Sequence, residues 1–228
     1  KSAYIVQANA FNDEDIQLVS QNPTILDSDN VVRAVYPREF ACMAASMRAG
    51  VGEPGEPLTN KYINISGLTQ DSSWDPTDLT DSADLILNGC LFAEFVPGQG
   101  YRWVRDLTTY IKSDNLAFAE GSVRDVVRQV VYILRTSIDR KFTGRKATPA
   151  NIGAIKDFAT SVLELLRTQE YIVDSTDPDT LVVTRAYSNL RVFSNGDVVR
   201  LSVCVYPVPG INFELSDIFV KISSQSAA

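Results

Sequence analysis

The chain has 228 residues, enough to bury a hydrophobic core without the help of disulfides or a bound metal. Apolar residues make up 45% and charged residues 21%, an ordinary globular composition, and no apolar run approaches the ~20 residues of a membrane-spanning helix. The net charge of −7 gives no general reason to expect nucleic-acid binding, and the absence of histidine removes the commonest general base and metal ligand.

The N-terminal part is expected to be the end of a region that begins upstream. The chain starts at Lys1 without a methionine and runs directly into "AYIVQA" (3–8), which predicts a buried strand. A polar, loop-like stretch follows. We therefore interpret residues 1–30 as the end of an upstream region that is truncated at its N-terminus.

The next hundred residues predict short elements separated by turns. Residues 31–37 alternate and are β-branched, which is typical of a strand. Pro37 and Gly50 stand at the two ends of a predicted helix, and Asn88-Gly89 ends a second, shorter one. "CLFAEFV" and "YRWVRDLTTYI" predict two strands joined by the turn "PGQG", and "KYINISGL" predicts one more short strand.

Two long helices come next. The first is predicted to begin at Ser122 as N-cap, with Asp125 in its first turn. Its apolar residues recur every three or four positions, at Val123, Val126, Val127, Val130, Val131, Leu134 and Ile138. The second has Thr148 as N-cap and Pro149 at its first position. Since only about six residues connect them, the helices should pack as an antiparallel hairpin.

The remaining residues return to strands, as "TLVVTRAY", "DVVRLSVCVYPV" and "INFELSDIFVKI" alternate between apolar and polar positions. Strands, then helices, then strands, without a regular βαβ order, predict a mixed α/β (α+β) fold in which a sheet packs on a helical hairpin.

Motifs that would carry catalysis or ligand binding are weak. Gly50, Gly52 and Gly55 spell G-x-G-x-x-G, but the motif follows a helix and runs into prolines, so a surface loop is the better interpretation. Acidic stretches such as "NDED" lack the spacing of a calcium loop. The three cysteines, Cys42, Cys90 and Cys204, form no CxxC pair and are expected to be buried thiols. We predict no catalytic residue, no cofactor site and no metal site.

Charge is distributed unevenly. The net charge is −9 over residues 1–100 and +2 over 101–228, and it reaches +4 over 135–146, where Asp139 is the single acidic residue. The basic residues at this corner between the two helices are Arg135, Arg140, Lys141, Arg145 and Lys146. They are expected either to steer an acidic partner or to complement the carbonyl end of the first helix, and the sequence favours neither.

The order of these features resembles the C-terminal part of contractile phage tail sheath proteins, from about residue 31 onward. The matching residues are Leu58-Thr59-Asn60-Lys61, Asn88-Gly89, Val104-Arg105 with Thr108-Thr109, Phe142-Thr143-Gly144-Arg145, and 203–208 with Phe213. No single segment is diagnostic, and the ordered series carries the resemblance. The loop "VGEPGEP" departs from the longer stretch that many members have there.

The resemblance implies a structural, non-enzymatic subunit of a sheath that polymerises around an inner tube and contracts to drive the tube through the host envelope, with genome ejection. It implies a tail-sheath C-terminal-domain-like core over 31–206 and a linking arm over 207–228. The implied partners are copies of the chain itself, the inner tail tube protein, and baseplate and tail terminator proteins, with no nucleic acid and no membrane span. The implied location is the virion tail, assembled in the host cytoplasm.

Two site hypotheses follow from this resemblance. The basic corner is expected to face an acidic tube surface. The strand "INFELSDIFVKI" is expected either to link neighbouring subunits or to close its own sheet, with Ile211, Phe213, Leu215, Ile218 and Val220 as the side chains of the linking strand. The alternatives to a sheath subunit are another tail or baseplate structural module, or a small α/β nucleotide-binding enzyme.

Overall fold

The computed structural model describes residues 1–69, 79–113, 115–176, 180–195 and 198–210. The helices are α1 (Ser2–Phe11), α2 (Pro37–Ala49), α3 (Leu79–Leu87), α4 (Leu116–Ala119), α5 (Gly121–Phe142) and α6 (Pro149–Thr168). The strands are β1 (Leu18–Val19), β2 (Asn22–Leu26), β3 (Val32–Ala34), β4 (Tyr62–Ile63), β5 (Gly67–Thr69), β6 (Cys90–Leu91), β7 (Ala93–Val96), β8 (Gly100–Trp103), β9 (Ser175–Thr176), β10 (Val183–Thr184), β11 (Tyr187–Asn195) and β12 (Val198–Val205). The predicted mixed α/β fold is confirmed.

The first segment is helical, so the strand predicted over residues 3–8 is wrong. A short apolar run does not distinguish a buried strand from a buried helix, and tertiary contacts decide here in favour of α1. Ala8 is fully buried in a cluster with Leu85, Cys90 and Phe92. Lys1 forms ion pairs with Asp81 and with Asp84, the latter at 2.8 Å, which ties the start of α1 to α3.

Two three-stranded sheets are built largely from neighbouring parts of the chain. One has the strand order β3-β2-β5 and the other β4-β8-β7, both with antiparallel pairing. The predicted hairpin across "PGQG" is present as β7 and β8. Trp103 at the end of β8 is fully buried and stacks on Phe40 of α2, with ring centroids 4.9 Å apart. The helix predicted between Pro37 and Gly50 thus covers this sheet.

The long helical hairpin is present, but its first helix starts differently from the prediction. The N-cap of α5 is Glu120 rather than Ser122, and the Ser122 hydroxyl is buried without a hydrogen bond among the described residues. The start of α5 packs against the segment of Asp106, whose carbonyl oxygen accepts from the Gly121 backbone N–H at 3.1 Å. The predicted start of α6 is confirmed, because the Thr148 hydroxyl accepts from the Asn151 N–H and Pro149 is the first helical residue.

The largest core cluster lies between α5, α6 and the C-terminal strands. Its buried members are Val126, Val130, Leu134, Ala159, Val162, Leu163, Leu166, Ile172 and Ala186. From the antiparallel pair β11 and β12, Leu190, Leu201, Val203 and Val205 pack against it. Val131, predicted to belong to the apolar stripe of α5, is instead 57% exposed.

The cysteines differ from one another in burial. Cys90 is buried, as predicted, but Cys42 and Cys204 are exposed. Cys42 lies on the outer face of α2, and Cys204 lies on the face of β12 turned away from the core, so apolar neighbours in sequence did not imply burial. Burial raises the pKa of the Cys90 thiol to about 11. Among the residues that the structure describes, no helix is both long and apolar enough to cross a membrane.

Candidate partner-binding surfaces

The basic corner lies at the turn between α5 and α6, and its five basic side chains are exposed. Arg135 is 81% exposed and pairs only loosely with Asp139, at 3.9 Å. Arg140 and Lys141 lie in the last turn of α5, where positive charge also complements the carbonyl end of the helix. Arg145 and Lys146 lie beyond the helix end in the connection, where solvent-exposed charge is available to a partner.

Two of these cations lie over aromatic rings. The Lys141 Nζ is 4.0 Å from the ring centroid of Phe158, and the Arg145 guanidinium is 5.5 Å from that of Phe142. The two rings are in contact, with centroids 5.7 Å apart. The structure therefore brings Lys141 and Arg145 together around one aromatic pair, while Arg135 lies about two helical turns away along α5.

The connection is held by hydrogen bonds from several sides. The Asn151 side-chain amide donates to the Lys146 carbonyl oxygen at 2.7 Å, and the Arg145 N–H donates to the Phe142 carbonyl oxygen at 3.0 Å. Gly144 has a φ of 85°, a left-handed conformation that favours glycine. The basic side chains of the connection thus project from an ordered backbone.

A cavity of about 270 Å³ opens beside this corner. Its apolar lining comes from three elements: Ile138 and Phe142 from α5, Ile152 and Ile155 from α6, and Val199 and Leu201 from β12. The connection residues Arg145 and Lys146 and the carboxylate residue Asp139 also border it. The spacing of apolar residues in the sequence predicted that the two long helices would pack together. It did not predict the cavity beside the turn that connects them.

The C-terminal strands form a second candidate surface. In the described part of the chain, β11 and β12 pair only with each other, so each has an outer edge that no other described strand covers. Val182 and Val183, next to this hairpin in sequence, are about 60% exposed. The residues predicted for the linking strand, Ile211, Phe213, Leu215, Ile218 and Val220, lie outside the described residues.

The segment that leads from β12 toward these residues is hydrogen-bonded to the segment that follows α6. Val173 N–H donates to the Tyr206 carbonyl oxygen, and Val208 N–H donates to the Tyr171 carbonyl oxygen, both at 3.2 Å. An ideal Cβ on Gly210 would lie 2.7 Å from the Pro57 ring. The last described residues therefore run against the loop that follows α2.

A buried ion-pair cluster was missed by the sequence analysis. Arg48, in the last turn of α2, pairs with the buried carboxylate of Asp106 and, at 2.7 Å, with Asp125 of α5. Asp106 also accepts from the Gln17 amide at 2.6 Å and from the Leu58 N–H at 3.3 Å. Burial opposes the charge on Arg48, but the two carboxylates outweigh it and raise the pKa of the guanidinium. The cluster ties five chain segments together, those of Gln17, Arg48, Leu58, Asp106 and Asp125.

Next to this cluster, more exposed ion pairs connect α5 to the segment after α1. Asp15 lies 2.8 Å from both Arg124 and Arg128 of α5, and the hydrogen bond from Arg124 holds the pKa of the Asp15 carboxyl below its usual range. Arg128 in turn reaches Asp125 at 3.3 Å. Within the acidic stretch "NDED", Glu14 and Asp15 thus serve as ion-pair partners of α5.

The glycine-rich loop gives no sign of a phosphate site. It follows α2 and opens no helix, and the Gly52 N–H donates to the Glu56 carboxylate at 3.3 Å. That backbone donor already has an acidic partner, whereas a phosphate loop presents its N–H groups to the ligand. Within the described ranges, no three His, Cys, Asp or Glu side chains come close enough together to hold a metal ion.

No protein-family model matches the chain. The tail sheath protein of Bacillus phage SP01 is 29% identical to it over 134 residues, which is 58% of this chain and 23% of that protein. This sequence match is to the same kind of protein that the ordered motifs resemble.

Solved structures with a similar fold identify the fold of this chain. The crystal structure of a sheath tail protein from Desulfitobacterium hafniense superposes with a TM-score of 0.65 at 17% identity, over 89% of this chain and 44% of that chain. The chain has the fold of contractile tail sheath proteins. The sheath of an extracellular contractile injection system called PVC, in its contracted state, gives a TM-score of 0.64 at 14% identity, over 97% of this chain and 60% of that one.

The resemblance drawn from the sequence is therefore confirmed, together with its sheath-like mixed α/β fold. The chain spans 23% of the phage sheath relative and 44% of the first crystal structure, so it corresponds to part of a sheath protein's length. Strand β12 reaches the basic corner, because Val199 and Leu201 line the same cavity as Arg145 and Lys146.

Proposed function

We propose that this chain is the core of a structural subunit of a contractile tail sheath, which polymerises around an inner tube and contracts to drive the tube through an envelope. The observation that carries this proposal is that almost the whole described fold is shared with tail sheath proteins while part of the sequence matches a phage tail sheath protein. The protein is then a component of the virion tail or of a related injection device. Its partners are further copies of itself, the tube, the baseplate and the tail terminator.

A mechanical rather than enzymatic role fits the polar groups of the described residues. The buried carboxylates are paired with arginines, Asp106 with Arg48 and Glu120 with Arg105, and Arg48 also pairs with Asp125, which links α2 to α5. An active site instead arranges titratable groups around a substrate cleft with shifted pKa values. The buried cluster thus acts as a structural tie between the elements that a sheath subunit must hold rigid under load.

We assign the tube contact to the basic corner. Exposed ion pairs contribute about 0 to 1 kcal/mol each and are screened by salt. A contact made of several such pairs holds the sheath on the tube before contraction and still breaks when the sheath contracts. A large apolar interface would resist that separation. The exposure of Arg145 and Lys146 on an ordered connection supports this assignment.

We assign the link between subunits to the C-terminal segment, with the core over residues 31–206 and the arm over 207–228. The uncovered outer edges of β11 and β12 are what strand addition requires, because backbone groups at an edge pair readily with another chain. Ile211, Phe213 and Leu215, at alternate positions, would then face the core of the receiving subunit.

Co-sedimentation of the full-length protein with polymerised tube protein tests the sheath role and the tube contact. We expect wild-type protein to pellet with tubes at low salt. The double variant Arg145→Glu/Lys146→Glu should pellet several-fold less, and because both residues are exposed and outside the helices, its folding should be unaffected. The matched control, Arg33→Glu/Arg38→Glu, makes the same charge change at exposed positions elsewhere and should behave as wild type.

Two outcomes would contradict different parts. Undiminished pelleting of Arg145→Glu/Lys146→Glu would overturn the tube contact but not the sheath role. Wild-type protein that neither polymerises nor pellets with tubes would contradict the sheath role itself.

A further inference from the structure

We propose that the cavity beside the basic corner is a socket for one apolar side chain of the partner surface, flanked there by carboxylates. This inference rests on the proposed tube contact and specifies its chemistry. The partner then needs an acidic loop that carries a single projecting leucine-sized or aromatic residue, rather than negative charge alone.

The interior of the socket is apolar on three sides. Ile155 and Phe142, which line it, are 6% and 8% exposed, and Ile138, Ile152 and Leu201 are partly buried. A partner side chain that enters would be surrounded by α5, α6 and β12. Water in such a space gains few hydrogen bonds, so replacing it with an apolar group is favourable.

The rim is predominantly basic. Arg145 and Lys146 border the opening, and Asp139 is the acidic residue among the lining side chains. Lys141 lies next to this rim over the Phe158 ring. A positive rim around an apolar interior complements an apolar group with carboxylates on either side, and it disfavours a basic or a purely polar segment.

The socket is already formed without a partner. The Asn151 amide holds the Lys146 carbonyl oxygen, and the Thr148 N–H donates to the same carbonyl oxygen at 2.9 Å. Arg145 is positioned by its backbone hydrogen bond to Phe142 and by the ring beneath its guanidinium. Because these groups are ordered beforehand, binding requires little further loss of conformational entropy on this side.

The size of the socket suits a single side chain. Its volume of about 270 Å³ lies below the ~300–1,000 Å³ of typical ligand pockets. An apolar anchor held in a preformed pocket and surrounded by weaker polar contacts is the usual architecture of a protein–protein hot spot.

Two synthetic acidic peptides test this inference against the full-length protein. They have the same aspartate- and glutamate-rich sequence and differ only in a central phenylalanine or serine. Burial of the phenylalanine should make that peptide bind about tenfold more tightly or better, as measured by calorimetry at low salt.

Two tryptophan variants locate the effect. Ala147 is exposed and lines the socket, so Ala147→Trp should fill the opening and abolish the preference for phenylalanine. Ala150 is equally exposed but does not line the socket, and Ala150→Trp should retain the preference. Because both variants add the same side chain at an exposed position, a difference in peptide preference between them reports on the socket and not on a general effect of tryptophan on stability.

Other results would overturn the socket in distinguishable ways. Equal binding of both peptides that disappears in Arg145→Glu/Lys146→Glu would mean that the corner recognises charge alone, which leaves the tube contact intact. No binding of either peptide would also overturn the socket, and the co-sedimentation experiment would then judge the tube contact separately. A preference that persists in Ala147→Trp would place the apolar contact elsewhere.

Discussion

The guanidinium of Arg48 is bound to the carboxylate of Asp106, whose side chain is 1% exposed. Arg48 lies in α2, and Asp106 lies 58 positions further along the chain, in the segment that follows β8. The Gln17 amide and the Leu58 N–H donate to the Asp106 carboxylate, and the Asp106 backbone N–H donates to the Thr59 hydroxyl. Together with the Arg48–Asp125 ion pair, these contacts fix α2 and the first turns of α5 relative to the segment after α1 that contains Gln17.

Removal of one partner of this pair should strongly destabilise the protein. We expect Asp106→Ala to lower the free energy of unfolding by about 3 to 5 kcal/mol, because Arg48 keeps a buried charge with Asp125 as its remaining partner. Urea unfolding followed by circular dichroism measures this. Asp29→Ala, at an exposed turn, is the control and should change little. A loss below about 1 kcal/mol in Asp106→Ala would mean that the cluster is not a structural tie.

Two glycines in helices should respond oppositely to alanine. An ideal Cβ on Gly121 would lie 2.5 Å from the Gln17 amide nitrogen and 2.9 Å from the Asp106 carboxylate, so Gly121→Ala should cost about 1 to 3 kcal/mol. Gly153 in α6 has open space around its Cβ position, so Gly153→Ala should stabilise by about 0.5 to 1 kcal/mol. Thermal unfolding of the two variants tests the difference, and equal shifts would contradict the described packing at Gly121.

The ion pairs of Asp15 predict a pH dependence. Since the hydrogen bond from Arg124 lowers the folded-state pKa of Asp15, this group stabilises the protein at pH values above its ordinary pKa of 3.8. The contribution is lost as the pH falls through the lowered value, where the folded state also takes up the proton. The stability difference between wild type and Asp15→Asn should therefore be constant near neutral pH and shrink in acid. A difference that does not change with pH would show that Asp15 acts without its charge.

The thiols should differ in reactivity. Cys42 and Cys204 are exposed, whereas Cys90 is buried with a raised pKa of about 11. We expect a thiol reagent at neutral pH to label two cysteines in the native protein and the third only on unfolding. Mass spectrometry of the labelled peptides identifies them. Rapid labelling of Cys90 in the native protein would contradict its placement beneath α1 and α3.

Local patterns predicted local structure well. Thr148 and Pro149 mark the start of α6 because capping and proline geometry depend on adjacent residues. The β7–β8 hairpin followed from a glycine- and proline-containing turn between two apolar runs. The helical hairpin followed from its spacing and its short connection.

Long-range contacts explain what the sequence could not predict. The run at 3–8 is helical because Ala8 packs against Leu85 and Phe92, far away in sequence. Ser122 failed as an N-cap because Asp106 approaches the backbone there and Glu120 takes that position. The five basic residues were identified from charge alone, but the apolar cavity beside them required Val199 and Leu201, which only the fold brings to the corner.

Electron microscopy of the full-length protein, produced together with its tube protein, tests the central claim most directly. The sheath assignment predicts long hollow cylinders whose wall follows the tube in a regular helical repeat. Discrete rings would instead indicate a baseplate or other tail module, and monomers that leave the tubes bare would contradict the assignment altogether.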